Sequence, residues 1–264
     1  MNTMHASPAQ QVAAYQFTPA SELITPCLLV YPQIIERNVQ EAIRIAGSPQ
    51  RLRPHVKTHK TAEIVQLARR QGIDKHKCAT LKEAALLAEC GVADVLIAYP
   101  QVGPAVLKLI SLTARFPGTR FSTVVDSTRA ATELNQLLAE RQLQIDVLID
   151  IDSGMHRTGI APGSAAAELA LHIASAPALT FGGLHIYDGQ NHQPELSERQ
   201  QAVQQLMEPV LNLVRRLQSS GLAVPKLVCG GTPTFPVFAE YQVPVDDVEL
   251  ELSPGTCVLS DYNY

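Results

Sequence analysis

The sequence contains no tryptophan and few aromatic residues, which make up 5% of its 264 positions. Its five cysteines are scattered and form no CxxC pair, so neither a disulfide framework nor a zinc knuckle is indicated. No apolar run approaches the length of a membrane span, and residues 1–16 lack the apolar core of a secretory signal. The net charge of −4 gives no general attraction to nucleic acid or anionic membranes. We therefore expect a cytoplasmic protein that binds neither.

What the sequence does contain is a regular alternation of short apolar runs with amphipathic helical patterns. Runs such as Val95–Ala98 and Val147–Ile149 are apolar throughout, as is typical of parallel strands covered on both faces. No glycine-rich dinucleotide fingerprint follows the first run, which argues against a Rossmann domain. The pattern predicts a (β/α)8 TIM-type barrel. Its eight expected strands are Gln50–Val56, His76–Ala79, Val95–Tyr99, Arg120–Val125, Ile145–Ile149, Leu179–Ile186, Lys226–Val228 and Asp247–Leu252.

The basic segment Arg53–Lys60 places Lys57 at the end of the first expected strand, between His55 and His59. Burial and neighbouring cations both disfavour the ammonium form of a lysine, which lowers its pKa. A lysine in that state is the nucleophile that Schiff-base chemistry requires. The alternative is an ordinary solvated basic turn. The position of Lys57 at a strand end favours the first interpretation, because barrel enzymes place their chemistry there.

A second segment with chemical potential, Gly230–Thr234, follows the seventh expected strand. Two glycines, Gly230 and Gly231, let the backbone approach a ligand closely, and the hydroxyls of Thr232 or Thr234 add hydrogen bonds to a phosphate. Alone, this segment is also compatible with a plain turn. Together with an activated lysine across a barrel mouth, it indicates pyridoxal 5′-phosphate (PLP), with the aldehyde on Lys57 and the phosphate on this loop.

Other strand-end residues are candidates for binding or proton transfer. Arg157 is expected to hold the phenolic oxygen of the cofactor or a substrate carboxylate, unless it forms an ion pair with Asp150 or Asp152. Tyr187 is expected to contact the pyridine ring or its nitrogen, unless it is only a rim tyrosine. The candidate acid–base groups are histidines, although a lone histidine is more often structural. These are His59, His185 and His192.

The run Arg53–Thr61 resembles the PLP-lysine motif of the D-threonine aldolase and D-serine dehydratase family, which has an N-terminal barrel of the alanine racemase type. The similarity extends in order over residues 23–264. Further matching segments are Thr25–Val30, Cys78–Thr80, Glu83–Ala84, Asp94–Pro100, Asp152–Gly159, His185–Gly189, Gly230–Thr234 and Glu251–Thr256. The resemblance implies that Lys57, and not Lys60, is attached to PLP. Lys57, His59 and His185 are thus the expected catalytic residues.

The resemblance also implies a PLP-dependent lyase acting on D-amino acids that carry a β-hydroxyl. Members of the family continue into a C-terminal β-domain with a divalent metal site for Mn²⁺ or Zn²⁺. We find no set of ligands for that metal in this sequence. We expect an N-terminal segment (residues 1–24), a barrel (25–252) and only the start of the β-domain (253–264). A chain of this kind is expected to be weakly active or inactive, and it has the potential to form a homodimer.

Two other functions remain open at this point. A racemase of the same fold would need a second base on the opposite face of the cofactor. A PLP-binding carrier or regulatory protein would show no turnover. Neither aldol cleavage nor elimination of the β-hydroxyl is favoured by the sequence over the other.

Overall fold

One parallel β-sheet positions the site. Within residues 20–259, which the computed structural model describes, seven parallel strands lie in sequence order, each beside the strand that precedes it. From the second expected strand onward the predicted strands are confirmed, with ends within two residues of those expected. The strands are β1 (Lys75–Cys78), β2 (Asp94–Ile97), β3 (Arg120–Val125), β4 (Ile145–Ile151), β5 (Leu179–Ile186), β6 (Lys226–Cys229) and β7 (Glu249–Leu252).

Helices connect the strands and cover the sheet with their apolar faces. In α3, for example, Ala84 and Leu87 are fully buried, and the Thr80 hydroxyl caps the helix by accepting the Glu83 N–H at 3.2 Å. Within the described range no helix combines the length and apolarity of a membrane span. The helices are α1 (Pro32–Ala46), α2 (Ala62–Arg70), α3 (Leu81–Glu89), α4 (Pro104–Arg115), α5 (Thr128–Ala139), α6 (Ser164–Ser175), α7 (Leu196–Ser219) and α8 (Phe235–Glu240).

The first expected strand, 50–56, is not a continuous strand, and that prediction is wrong. Between two 3-10 turns, residues 52–55 form only isolated parallel bridges, one from Leu52 to Leu252 of β7 and one from His55 to Lys77 of β1. Pro54 has no N–H for a regular ladder, although its carbonyl accepts the Lys77 N–H at 2.9 Å. This bridging segment (residues 52–55) nevertheless contacts both edges of the sheet.

Charged side chains gather where the strands begin. Arg53, only 1% exposed, donates two hydrogen bonds to Asp94, at 2.7 and 2.9 Å, and also bonds to Glu251. Lys75 and Lys226 reach the same Glu251 carboxylate at 2.7 and 3.5 Å. We call these five residues the Arg53 network. It ties the bridging segment to β1, β2, β6 and β7.

The chain after β7 returns to the strand ends near the bridging segment. The Ser253 N–H donates to the carbonyl of Cys229, and the Ser253 hydroxyl donates to the carbonyl of Arg53 at 2.8 Å. The expected boundaries after residues 24 and 252 stay predictions. Residues 1–19 and 260–264 lie outside the described residues, and with them most of the expected N-terminal segment and the last five residues of the expected β-domain start.

Candidate active site

A pocket opens at the carboxyl ends of the strands, at the opposite end of the sheet from the Arg53 network. Its space is about 410 Å³ when the open mouth is included. Its wall combines two lysines, one tyrosine and the loops that follow β6 and β7. The lining residues are His55, Lys57, Lys77, Tyr187, Gly189, Gly231, Thr232, Pro233, Ser253, Gly255 and Thr256. We call this space the strand-end pocket.

Lys57 extends into this pocket from the 3-10 turn Val56–Thr58. The turn is held by the buried side chain of His55, whose Nδ1 accepts the Lys57 N–H at 3.1 Å. Burial lowers the pKa of Lys57, and the positive charge of Arg157 lowers it further, while Glu83 opposes the shift. Burial also lowers the pKa of His55, followed by the charges of the pocket cations. Neutral His55 can therefore act as the acceptor that this turn needs.

Tyr187 is the ring around which the cations of the pocket collect. Its centroid lies 5.1 Å from Lys57 Nζ, 5.6 Å from Lys77 Nζ and 5.2 Å from Arg157 Cζ. Distances of this size allow cation–π attraction, which partly offsets the repulsion among the three cations. The structure therefore brings Lys57, Arg157 and Tyr187 together, and their roles stay predictions.

The acidic residues expected to compete for Arg157 have other partners. Asp150 accepts from His185 at 2.7 Å, and Asp152 contacts His156 at 2.8 Å. Arg157 itself is exposed. Its guanidinium lies over the ring of Tyr187, outside the residues that line the strand-end pocket, and is accessible to an anion.

The Gly-Thr loop contributes unequally to the pocket. Gly231 and Thr232 line it, whereas Gly230 and the fully buried Thr234 do not. Thr234 works inside the loop instead, since its hydroxyl accepts the Gly231 N–H at 3.2 Å. Gly230 has φ +84°, a conformation that favours glycine, and a Cβ there would meet the Phe238 ring at 3.1 Å. These two residues shape the loop around the lining residues.

Thr232 is the residue of this loop best placed to bind a ligand. Its hydroxyl oxygen accepts two N–H groups, from Gly255 at 3.1 Å and from Thr256 at 2.9 Å. Since both lone pairs of the oxygen accept hydrogen bonds, the hydroxyl can bind a ligand only by donating its hydrogen. The loop after β6 and the segment after β7 thus form a joint wall that offers hydrogen to an anion.

The three candidate histidines occupy different places. His59 is half-buried, does not line the pocket, and its Nδ1 accepts the Thr61 N–H at 3.2 Å; burial lowers its pKa to about 4. His192 is exposed. Only His185 approaches the pocket, from behind Lys77, with Nε2 lying 3.3 Å from Lys77 Nζ.

Lys77 is the pocket residue that the sequence interpretation missed. Although it lies in β1 and is only 2% exposed, it lines the pocket beside Lys57. Burial and then the charge on Lys57 lower the pKa of Lys77 to about 7. The available signal was the strand Lys75–Cys78 itself, where two adjacent ionisable residues, His76 and Lys77, occupy positions that a covered parallel strand buries.

A second acidic group supports the loop after β6. Asp188 is buried, and its Oδ1 accepts the Gly231 N–H at 2.9 Å. Burial raises the pKa of Asp188 despite this hydrogen bond.

A metal site is not evident in the part of the chain that the structure describes. Among residues 20–259 no group of three or more His, Cys, Asp or Glu side chains is suited to bind a metal ion.

The alanine racemase N-terminal domain model matches residues 30–250, and the chain belongs to this family. Its seven-stranded parallel sheet is the α/β fold of that family, and the resemblance seen in the sequence is confirmed. A crystal structure of D-threonine aldolase from Filomicrobium marinum is similar, with TM-score 0.84 and 29% identity. That similarity covers 93% of this chain and 65% of the aldolase chain.

Two curated relatives show how the similarity divides. D-threonine aldolase from Arthrobacter sp. is 29% identical over 248 residues, which are 93% of this chain and 64% of the relative. D-threo-3-hydroxyaspartate dehydratase from Delftia sp. strain HT23 is 27% identical over 215 residues, or 80% of this chain and 56% of the relative. The chain therefore spans less than two thirds of the length of these relatives, and they include both an aldolase and a dehydratase.

Proposed function

We propose that this chain is the PLP-binding barrel of a lyase that acts on D-3-hydroxy amino acids. The observation that supports this most directly is the arrangement in the strand-end pocket. There the amine of Lys57, with its lowered pKa, shares one space with the Tyr187 ring and the Gly231–Thr232 wall. The names of the similar proteins, an aldolase and a dehydratase, support the reaction class.

The chemistry of the donors fits PLP. An amine nucleophile suits the aldehyde, and the hydroxyl hydrogen of Thr232 suits the phosphate. The cationic Arg157 suits the phenolic oxygen or a substrate carboxylate. Tyr187 offers an aromatic face to the pyridine ring. These four residues are our proposed cofactor-binding set, with Gly231 as a close backbone contact.

Each residue then has a definite task. Lys57 would hold the cofactor through the cofactor's aldehyde, and the cationic Arg157 would orient the substrate through the substrate's carboxylate. His185 contacts Lys77, and its acid–base role would act through that lysine. His59 lies outside the pocket, so its role would be to hold the turn around Lys57 and Thr61. When bound, PLP supplies an electron sink for bonds at the substrate α-carbon. Residues 20–259 offer no ligand set for the divalent metal expected from the resemblance, so we assign no step of this chain to it.

The finer description of the fold belongs to the same proposal. We infer that the bridging segment occupies the position of the first expected strand, between β7 and β1. With the seven strands of the sheet it would complete a (β/α)8 barrel. The bridges from Leu52 to Leu252 and from His55 to Lys77 support this inference. Lys57 would then lie at the end of the first strand position, as its nucleophilic role requires.

Cofactor attachment provides the first test. The purified chain mixed with PLP is expected to gain a visible absorption band, and borohydride reduction is expected to fix the cofactor on the peptide containing Lys57. The Lys57→Ala variant should lose both signals. Lys60→Ala is a matched control, because Lys60 is exposed, does not line the pocket and faces Glu83 at 3.5 Å. Attachment that survives Lys57→Ala and disappears with Lys60→Ala would refute the assignment.

Product analysis tests the reaction class. Incubation with D-threonine, D-serine or D-alanine, with and without Mn²⁺ or Zn²⁺, separates the candidates. Glycine plus an aldehyde identifies an aldolase, a keto acid plus ammonia identifies a dehydratase, and L-alanine identifies a racemase. An inverted amino acid as the main product would overturn the lyase proposal.

A further inference from the structure

Behind the strand-end pocket, three buried side chains form a linear hydrogen-bonded chain. Asp150 Oδ1 lies 2.7 Å from His185 Nδ1, and His185 Nε2 lies 3.3 Å from Lys77 Nζ. The Thr158 hydroxyl donates to the other oxygen of Asp150 at 2.8 Å. All three members of the chain are at most 5% exposed. We call this chain the Lys77 relay.

The direction of the hydrogen bonds in the relay follows from the ionisation of its members. Burial would raise the pKa of Asp150, but the hydrogen bond from His185 lowers it, so the carboxylate is ionised and can only accept. His185 must therefore donate through Nδ1–H. Burial and the charge of Lys77 lower the pKa of His185, so its Nε2 remains unprotonated and accepts from Lys77.

This direction fixes how Lys77 presents itself to the pocket. Because Lys77 donates one N–H to His185, the remaining positions on its nitrogen are directed elsewhere. Lys77 lines the same space as Lys57, and both nitrogens lie over the Tyr187 ring, at 5.6 and 5.1 Å from its centroid. A deprotonated Lys77 has its lone pair at one of these remaining positions. The relay supports a base there rather than a second ion pair.

We propose that Lys77 holds the proton that Lys57 gives up when Lys57 reacts with a carbonyl compound, and that His185 and Asp150 orient Lys77 for this role. The inference rests on the proposed function, in which Lys57 is the reacting amine. In the balanced step the ammonium of Lys57 transfers a proton to the amine of Lys77. The freed amine of Lys57 then adds to the aldehyde, and water leaves as the carbon–nitrogen double bond forms.

Electrostatics in the pocket couple the protonation of the two lysines. The charge on Lys57 is one cause of the low pKa of Lys77, after burial itself. When Lys57 loses its charge, that repulsion ends and Lys77 binds a proton more tightly. Three other groups raise the pKa of Lys77, namely Asp150, Asp188 and Cys229. Two neighbouring histidines, His55 and His185, also interact with Lys77.

The test follows attachment of PLP to Lys57 as a function of pH, by borohydride trapping and peptide mass. In the wild-type chain the attachment rate is expected to rise through about pH 7, where Lys77 loses its own proton. The Lys77→Met variant should move this rise to higher pH, and a profile displaced by about one pH unit means about tenfold slower attachment at neutral pH. Lys60→Met should keep the wild-type profile.

A second variant protects the test against a loss of folding at position 77. Asp150→Asn keeps both lysines but removes the carboxylate that fixes the His185 tautomer. Because the charge of Asp150 raises the pKa of Lys77, its removal lowers that pKa, and the rise is expected to move to lower pH, opposite to that of Lys77→Met, with circular dichroism confirming the fold. Wild-type profiles in both variants would overturn the inference. Undiminished attachment in Lys57→Ala would instead overturn the proposed function, so the two failures are distinguishable.

Discussion

The two ends of the strands bury charge in opposite ways. Where the strands begin, each cation of the Arg53 network meets a carboxylate, and Glu251 receives hydrogen bonds from Arg53 and Lys75. Where the strands end, Lys57, Lys77 and Arg157 surround one tyrosine ring. Both clusters are at least partly desolvated, so the arrangement of neighbours and not burial alone determines their protonation.

The pKa values of the two clusters record this difference. Burial would raise the pKa of Glu251, but the charge of Arg53 lowers it to about 2, so the carboxylate stays ionised. Burial and like charge together lower the pKa of Lys77 to about 7, so this lysine is prone to lose its proton. A saturated ion-pair network stabilises the fold and is chemically inert, whereas a cluster of like charges is reactive and costs stability.

The largest effect is expected from breaking the network. Arg53→Met leaves Glu251 and Asp94 as buried carboxylates without their main partner. Loss of one member of a buried ion pair costs about 3–5 kcal/mol of the free energy of unfolding. Chemical denaturation measures this loss. Arg157→Met, which removes an exposed arginine beside Tyr187, is the matched control and should change stability little. Equal losses in both variants would remove the contrast between the clusters.

The opposite sign is expected in the pocket. Lys77→Met replaces a buried amine with an apolar chain of similar length and relieves its repulsion with Lys57. Such replacements are neutral or stabilise by about 1–4 kcal/mol. A variant that folds and becomes less stable by several kcal/mol would contradict the description of the pocket as a destabilised site.

The same variant has a signature in the pH dependence of stability. Between the folded pKa of Lys77, about 7, and its ordinary value of 10.5, the unfolded chain binds more protons than the folded chain. Stability attributable to Lys77 therefore rises with pH through this window, with the penalty fully present below it. Comparing wild type and Lys77→Met by denaturation at a series of pH values should show this slope disappear. An unchanged slope would place the titrating group elsewhere.

A smaller loss is expected from crowding the ring of the pocket. A Cβ at Gly189 would lie 2.6 Å from the Tyr187 hydroxyl oxygen and 2.7 Å from two ring carbons, so Gly189→Ala must displace the ring. Overpacking of this kind costs about 1–3 kcal/mol. Retention of PLP after gel filtration should fall as well, because the ring lines the pocket. Gly118→Ala, at a position with open space around it, is the control.

The smallest effect is expected outside both clusters. Lys60 has an exposed side chain and lies 3.5 Å from Glu83. Glu83 is buried, but its Oε2 also accepts the Ala79 N–H at 2.8 Å. Loss of the exposed Lys60 is therefore expected to cost about 0–1 kcal/mol, as for a surface ion pair, and Lys60→Met should barely change the denaturation midpoint. A loss comparable with that of Arg53→Met would show that the charge of the basic segment, and not its pairing, stabilises the fold.

The sequence predicts the repetitive part of this fold well and its closure poorly. Strands β3 and β5 have the ends that periodicity indicated. Periodicity failed at residues 50–56, because hydrogen bonds to two distant strands, β1 and β7, hold that segment in place of a ladder of its own. Local patterns contain no information about such partners.

The site divides in the same way. Lys57, Arg157 and Tyr187 stand at strand ends, so their proximity followed from the topology of parallel strands. The role of Lys77 depends on distances to His185 and Asp150, which come from β5 and β4. Its burial beside a second lysine is a property of the assembled sheet. A single sequence offers only the short strand Lys75–Cys78 as a hint.

The two hydrogen bonds at the Thr232 hydroxyl have one more consequence. They join the loop after β6 to residues 255 and 256. Ligand binding in the pocket and ordering of the segment after β7 are therefore thermodynamically coupled. An anion that accepts the Thr232 hydrogen also tightens the backbone that this oxygen holds. Ligand binding at Thr232 is thus expected to order the chain that follows the sheet. Protection of residues 253–259 from proteolysis should increase with PLP concentration.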